Sequence, residues 1–397
     1  MNAASDDAGP LAGVRVLDLT RLLPGGVLGA LLADLGADVV KVEEPVLGDY
    51  MRSAEPRIGA ESAASWIVGR NKRSLAVDLK RPEGVDLFLR LAEQAHVVVE
   101  GFRPGVVERL GVDYATVGAR NPRIVYASLT GYGSDGPMRD VPGHDIGYIS
   151  YAGVLGMTGP PGGPPCPPGV QVGDLGGASL LGIGLLAALY RAERTGHGGR
   201  VEVAMYDAAL AWTSIHAGEY WAGGPVPDPG RNLLNGLVPC YAVYECADGR
   251  HVSVGALEPK FWAAFCAAVE RPDLLARQFD PSARADVAAL LSTRTRARWL
   301  ELLEGAGACV APVLDLAEAL AHPLAQARGM VLQAPLDAAG TQTAPTLGTP
   351  IRFDGRRRPA GTPPPTLGAD SVALAAQAGL SDTQIAGLLD SGVLRQS

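Results

Sequence analysis

Cysteine chemistry is nearly missing from this chain. Its five cysteines, Cys166, Cys240, Cys246, Cys266 and Cys309, include no C-x-x-C pair. That argues against a zinc site and against a disulfide framework, so no metal is expected. Charge is sparse and lopsided: charged residues make up 19% of the chain and the formal charge is −8. Nucleic acid is therefore not expected as a partner, and an anionic ligand needs a local basic patch. Long apolar runs are also lacking. The longest, Ala178 to Leu189, reads as too short and too glycine-rich to span a bilayer. Met1 to Pro10 is polar and acidic, unlike a secretory leader. With unpaired thiols, this sets the expectation of a cytoplasmic protein with no membrane partner. Finally, the turn after the first apolar run lacks G-x-G-x-x-G, which argues against a nicotinamide cofactor.

What is present is a chain of 397 residues with 47% hydrophobic residues, enough for two or three domains with a sizeable core. Val14 to Thr20 reads as a buried strand. Pro24-Gly25-Gly26 reads as a turn, Val27 to Leu35 as a helix ending at Gly36, and Val39 to Glu43 as a second strand. Further strands are expected at Asn71 to Leu79, His96 to Glu100, Arg123 to Leu129 and Arg200 to Ala204. A helix is expected from Pro82 to about Gln94, with the proline suited to its first turn. This alternation predicts an α/β fold with a doubly wound, Rossmann-like parallel sheet. Tyr206 to Trp221 reads as one helix. Tyr241 to Cys246 and His251 to Gly255, joined by Asp248-Gly249, read as a hairpin, and Glu258 to Val269 as a helix. The predicted organisation is a disordered N-terminus (1–10), a large domain (11–222), a linker (223–236), a smaller α+β domain (237–330) and a C-terminal segment (331–397) returning to the large domain.

The stretch from Gly143 to Leu189 concentrates the candidate chemistry. It opens with Gly143-His144-Asp145-Ile146-Gly147-Tyr148, crosses a Pro/Gly-rich loop and presents Gly173-Asp174 before an apolar helix. His144 could be a capping or packing histidine. Its place in a loop beside an acid also suits catalysis, since loops on a rigid sheet gather such groups. Asp174 reads as a helix N-cap and equally as a reactive carboxylate beside outward-pointing amides. Gly176, Gly177, Gly182 and Gly184 each cost up to about 1 kcal/mol in a helix interior. Close helix packing or close approach of a ligand would explain them. Glu258, at a strand-to-helix junction, reads as a first-turn acid or as a carboxylate that orients a histidine. Lys72, Arg73, Lys80, Arg81 and Arg103 form the obvious basic cluster for phosphates, Arg103 being best placed in its Gly/Pro turn.

Together these segments resemble the class III coenzyme A transferase family, and most closely its α-methylacyl-CoA racemase branch. The resemblance runs from about Leu11 to about Arg357. Its motifs are Leu11-Ala-Gly-Val-Arg-Val-Leu-Asp-Leu, Leu32 to Glu43, Asn71-Lys-Arg-Ser-Leu75, Gly101-Phe-Arg-Pro-Gly105, Gly131-Tyr-Gly133, Gly143-His-Asp145, Gly173-Asp174 and Asp248-Gly249. It implies an interlocked homodimer and an acyl-CoA ligand. It also implies no separate cofactor, coenzyme A entering as part of the thioester. Asp174 matches the family aspartate, a nucleophile in the transferases and a base in the racemases. His144 matches a histidine of the racemase branch, and Glu258 the glutamate that supports it. Coenzyme A contacts are implied for Asp78, Leu79, Lys80 and Arg81 and for the segment Gly143 to Tyr148. That segment holds Asp145, Ile146 and Gly147. The chain departs from the branch at Gly147 and Val170, where asparagine is usual, and at Glu44, where arginine is common. Lys41 is the candidate replacement for that arginine.

A racemase next to a thioester must remove a proton from one face of a carbon and return one to the other. Two bases with pKa values near the working pH do this most simply, and His144 with Asp174 is the expected pair. The alternatives are coenzyme A transfer, in which Asp174 attacks the thioester to form a mixed anhydride, and a non-catalytic coenzyme A thioester-binding protein.

Overall fold

The strands that read as continuous apolar runs are buried on both faces, as a parallel sheet requires. In the computed structural model, which describes residues 9–337, 339–359 and 361–397, they are β1 (Arg15–Asp18), β2 (Asp38–Glu43), β3 (Lys72–Val77), β4 (Val97–Glu100), β5 (Val125–Thr130) and β6 (Gly199–Ala204). They pair in parallel in the order β3-β2-β1-β4-β5-β6. The C-terminal strand Leu394–Arg395 adds antiparallel to β3 to complete seven. Residues 1–8 of the N-terminal stretch expected to be disordered lie outside the described residues.

Side chains alternate across the sheet with the period of two that a strand imposes. Val16, Val39 and Val125 enter one core with α1 (Leu22–Asp34) and its Leu28 and Leu32. Leu17, Val40 and Tyr126 enter the other core with α2 (Pro82–Glu93) and its Leu87, Phe88 and Leu91. Leu374 and Ile385, on two short C-terminal helices, close that second layer.

The next helices are α3 (Asp145–Tyr151), α4 (Val172–Thr195) and α5 (Met205–Ala211). Three local expectations change. First, α1 starts at Leu22, so Pro24-Gly25-Gly26 is helix and not turn. A proline in the first turn loses no hydrogen bond. Side chains would strike Thr20 from Gly25 and Val68, at 2.9 Å, from Gly26. Second, α4 begins at Val172, six residues before the apolar run, with Gly196 as its left-handed C-cap (φ 74°). It is long and apolar enough to cross a membrane by length and composition. Its Ala178, Leu181, Leu185 and Ala188 are buried against α1 and the sheet, which is the pattern of a core helix. Third, the helix expected over Tyr206 to Trp221 is two pieces, α5 and Ser214–Trp221.

The glycines of α4 are there for packing. A Cβ would come within 3.4 Å of Trp212 at Gly176, 2.8 Å of Met205 at Gly177, 3.3 Å of Leu28 at Gly182 and 2.8 Å of Val201 at Gly184. The helix backbone thus lies against α1, β6 and α5.

Contacts divide the chain into two units. One is residues 1–152, 170–212 and 326–397; the other is residues 153–169 and 213–325. The second unit has an antiparallel sheet of β7 (Tyr241–Glu245), β8 (His251–Gly255) and β9 (Val310–Val313) in the order β9-β8-β7. Gly249 supplies the positive φ (70°) of the Asp248-Gly249 turn. Trp262 and Phe265 of α6 (Pro259–Ala268) stack at 5.2 Å inside its core.

Candidate active site

In the first unit, β1 lies between β2 on one side and β4 on the other, and the chain continues from β1 to β2. Strand order therefore reverses between β1 and β4, where open parallel sheets bind ligands beyond their carboxyl ends. A cleft of about 750 Å³ opens there. The segments that follow β1 (Thr20 to Gly25), β4 (Gly101 to Pro104) and β5 (Gly131 to Gly133) line it, together with Gly143, His144, Tyr148, Gln171, Asp174 and Met205.

His144 is the N-cap residue of α3, with extended backbone (φ −133°, ψ 171°). Its carbonyl accepts from the Gly147 and Tyr148 amides at 2.8 and 3.3 Å. Its imidazole makes no capping bond and is exposed in the cleft. The backbone of His144 does the structural work and leaves the ring free.

Asp174 is the third residue of α4, not its cap. The cap role is taken from a distance by Asp145, whose Oδ1 accepts from the Gly173 and Asp174 amides at 2.7 and 3.0 Å. Two consequences follow. The amides expected to receive a developing oxyanion are already engaged, which corrects that reading of the helix start. Asp174 is also left partly buried beside a second carboxylate. Burial first, and then the Asp145 charge, push its pKa up to about 6, while His144 pulls it down. A carboxyl group poised near neutrality can both take and give a proton.

The basic residues expected to act together are dispersed. Lys72 is buried, with Nζ 3.1 Å from Asp18. Arg73 is paired with Asp38 and Asp370 at 3.6 and 3.5 Å. Arg81 reaches Glu83 at 3.6 Å. Lys80 and Leu79 border a separate shallow depression with Arg109 and Arg120, and the Asp78 carboxylate accepts from the Lys80 amide at 2.9 Å. Only Arg103 lines the cleft. Lys41 is no replacement cation for a ligand. It is buried, 3.2 Å from Asp49 and 3.9 Å from Asp18, and donates to the Thr20 carbonyl. Ile146 is exposed on α3 and Gly147 lies against Tyr132, whose hydroxyl would be 2.9 Å from a Cβ there. Glu258 belongs to the second unit, where it is the exposed N-cap residue of α6 with no capping bond from its side chain.

Two cleft cations escaped the sequence reading, Arg21 and Arg139. Arg139 has Asp140 at 3.7 Å. Arg21 and Arg103 have no ion pair closer than 4.0 Å among the described residues. The Arg21 guanidinium stands over the rings of Phe102 (5.2 Å) and Tyr50 (5.9 Å), an attractive arrangement. The next residue, Leu22, is held at φ 62°, a region costing about 1–3 kcal/mol for a side chain of this kind. Its amide donates to both Asp49 oxygens at 3.1 and 3.2 Å. The signal for Arg21 was its place one turn past the end of β1, which could be used only once the strand order was known.

The chain has relatives along nearly its whole length. The model of CoA-transferase family III matches residues 11–371. An alpha-methylacyl-CoA racemase of Mus musculus is 36% identical over 79% of this chain and 80% of its own length. A succinyl-CoA:mesaconate CoA-transferase of Haloarcula marismortui is 38% identical over 87% and 90%. The crystal structure of a CAIB/BAIF family protein from Brucella suis superposes with a TM-score of 0.82 at 30% identity, covering 94% of this chain and 100% of that one. A Rossmann-like sheet with its cleft at the strand reversal, a poised aspartate at the head of a glycine-rich helix and a match over nearly the whole length lead to one conclusion: this chain belongs to CoA-transferase family III.

Proposed function

We propose that this protein is an acyl-CoA racemase that inverts the α-carbon of a 2-methyl, or otherwise 2-substituted, acyl-CoA. The observation that carries the reading is the pair in the cleft: a free imidazole at His144 and a carboxyl group at Asp174 whose pKa is near 6. In one direction the ionised Asp174 takes the α-proton and the thioester becomes an enolate. Protonated His144 then delivers its proton to the opposite face. Each group ends in the other's protonation state, and the reverse direction or solvent exchange restores them. Arg21 and Arg103 hold the phosphates of coenzyme A, which arrives as part of the substrate and not as a separate cofactor.

Coenzyme A transfer is the second reading, favoured by the 38% identity to a CoA-transferase. Here the Asp174 carboxylate attacks the thioester carbonyl and expels the coenzyme A thiolate, leaving a mixed anhydride. The thiolate attacks the aspartyl carbonyl of the anhydride, releasing the donor acid and leaving an Asp174–coenzyme A thioester, and the acceptor carboxylate takes the coenzyme A by the same two steps in reverse. The free His144 has no task in that scheme. A non-catalytic binding protein needs neither group.

Incubation with a 2-methylacyl-CoA in D2O, followed by mass spectrometry at C2, separates the three. Wild type is expected to exchange and racemise. His144→Ala and Asp174→Ala should each lose about 10²–10⁴-fold in rate. Absence of exchange, with coenzyme A passing to a free acid, refutes the racemase. Binding without either activity leaves the third reading.

The proposal includes a homodimer. Ile183 and Tyr190 of α4, each 65% exposed, and the nearby Trp212 at 54% form an apolar surface suited to a second copy. A monomer by sedimentation equilibrium at micromolar concentration would remove this part.

A further inference from the structure

An acyl-CoA whose α-proton is removed, or whose carbonyl is attacked, develops negative charge on the thioester oxygen. Something must donate to that oxygen. The start of α4 is poorly placed to do so. The Gly173 and Asp174 amides are held by Asp145, and the Leu175 amide returns to the Gln171 carbonyl at 3.0 Å. Val172, which carries the remaining first-turn amide, does not line the cleft.

Tyr148 does line it. Its side chain is seated with unusual care for a surface helix of seven residues. Only 6% of the residue is exposed. Tyr132 stands edge-on to its ring at 5.0 Å and 79°. Two glycines make the room. A Cβ on Gly131 would come within 2.8 Å of its Cε1 and 3.0 Å of its hydroxyl, and one on Gly143 within 2.6 Å of its Cε1. Gly131 directly follows β5 and Gly143 precedes His144, so the ring is wedged between these two segments. A buried phenol normally finds a hydrogen-bond partner. The other deeply buried tyrosines do: Tyr126 donates to the Val112 carbonyl at 2.9 Å and Tyr244 to the Pro239 carbonyl at 2.8 Å. The Tyr148 hydroxyl has no protein partner among the described residues and, unlike its ring, is not sealed from solvent, so it opens on the cleft.

We propose that the Tyr148 hydroxyl is the donor that receives the thioester carbonyl oxygen and stabilises the oxyanion it becomes. The inference rests on the acyl-thioester reading above, but not on whether the chemistry is proton transfer or coenzyme A transfer. The hydroxyl stays protonated at neutral pH: burial first, then the charge of Asp174, push its pKa up to about 12, with Arg103 acting in the opposite sense. Asp174 is thus the carboxylate that bears most on this phenol. Tyr132, another of the cleft tyrosines, has its pKa raised by burial and then by Tyr151, with no part played by Asp174. A donor beside Asp174 can hold the carbonyl while that carboxylate works at the adjacent carbon.

The test is isotope-edited infrared spectroscopy of a ¹³C=O-labelled 2-methylacyl-CoA bound to the full-length protein. In wild type the carbonyl band should lie below its position in water. In Tyr148→Phe it should return towards higher frequency, with turnover down about 10²-fold and coenzyme A affinity unchanged. A ring-retaining variant carrying 3-fluorotyrosine at position 148, a more acidic donor, should move the band further down, which guards against a phenylalanine variant that fails to fold. A band unmoved in both variants would overturn the proposal and assign the carbonyl to backbone amides. Deuterium exchange at C2 decides the reaction separately, so failure of the racemase reading and failure of Tyr148 give different results.

Discussion

Two pairs of cations lie around β1, and they behave in opposite ways. Lys41 and Lys72 are buried and neutralised, sharing Asp18 between them, with Asp49 also against Lys41. Arg21 and Arg103 are exposed in the cleft without an ion pair among the described residues. In the sequence all four are basic residues in or beside strands. Burial separates their roles. A lysine taken out of water must be paired, and its partner is then committed. An arginine spread over aromatic rings keeps its donors free for a ligand. The buried set is not idle with respect to function. Asp49 and Lys41 hold the Leu22 amide and the Thr20 carbonyl, which fixes the backbone on either side of Arg21. The inner pair is scaffold for the outer one.

The contrast can be broken most forcefully at Asp18. Burial alone would raise its pKa, but Lys41, Lys72 and the Thr20 hydrogen bonds hold it below the usual carboxylate range. Asp18→Ala leaves two buried ammonium groups with one partner fewer, and should cost about 3–5 kcal/mol of unfolding free energy. Urea denaturation reads this directly, and a loss under about 1 kcal/mol would show that the inner pair is not structural. Arg21→Ala should do the reverse. Stability should hold, while KM for an acyl-CoA rises about tenfold, or about 1.4 kcal/mol. KM for the matching N-acetylcysteamine thioester, which has no phosphates, should not change. Equal effects on both thioesters would detach Arg21 from the phosphates.

The smallest effect sharpens the comparison on the acidic side. Asp145 is the second cause, after burial, of the raised pKa of Asp174. Asp145→Asn keeps an oxygen for the Gly173 and Asp174 amides but removes the charge. The pKa of Asp174 then falls, and the acid limb of kcat/KM, in the direction where Asp174 takes the proton, moves from about 6 to lower pH. A limb that stays in place, measured by the C2 exchange rate between pH 4 and 8, would mean that burial alone sets it.

Much of the sheet could be read directly. Val14 to Thr20, Val39 to Glu43 and His96 to Glu100 are apolar runs bounded by turn residues, and each is a strand within a residue or two. The Asp248-Gly249 hairpin was equally plain, because a left-handed glycine turn is a local preference. The misread starts of α1 and α4 have one origin. Glycine in a helix is costly by itself, and at Gly25, Gly26, Gly176 and Gly177 the compensation is a neighbour far along the chain or across a loop. The basic cluster dissolved for the same reason, since Asp18 and Asp370 were not visible as partners of Lys72 and Arg73.

The amino-acid sequence alone settled the periodicities, hence the α/β class and the strands, because those depend on neighbours two to four residues apart. It also placed His144 and Asp174 as candidates, through residue type and local turn. Tertiary structure decided what those residues can do. Asp145 reaches across 28 residues to the Gly173 amide, closing the start of α4 to an oxyanion and raising Asp174. Gly131 and Gly143 close on Tyr148 from two segments. Burial, pairing and the availability of a donor depend on which distant groups meet, and only the packed chain brings them together.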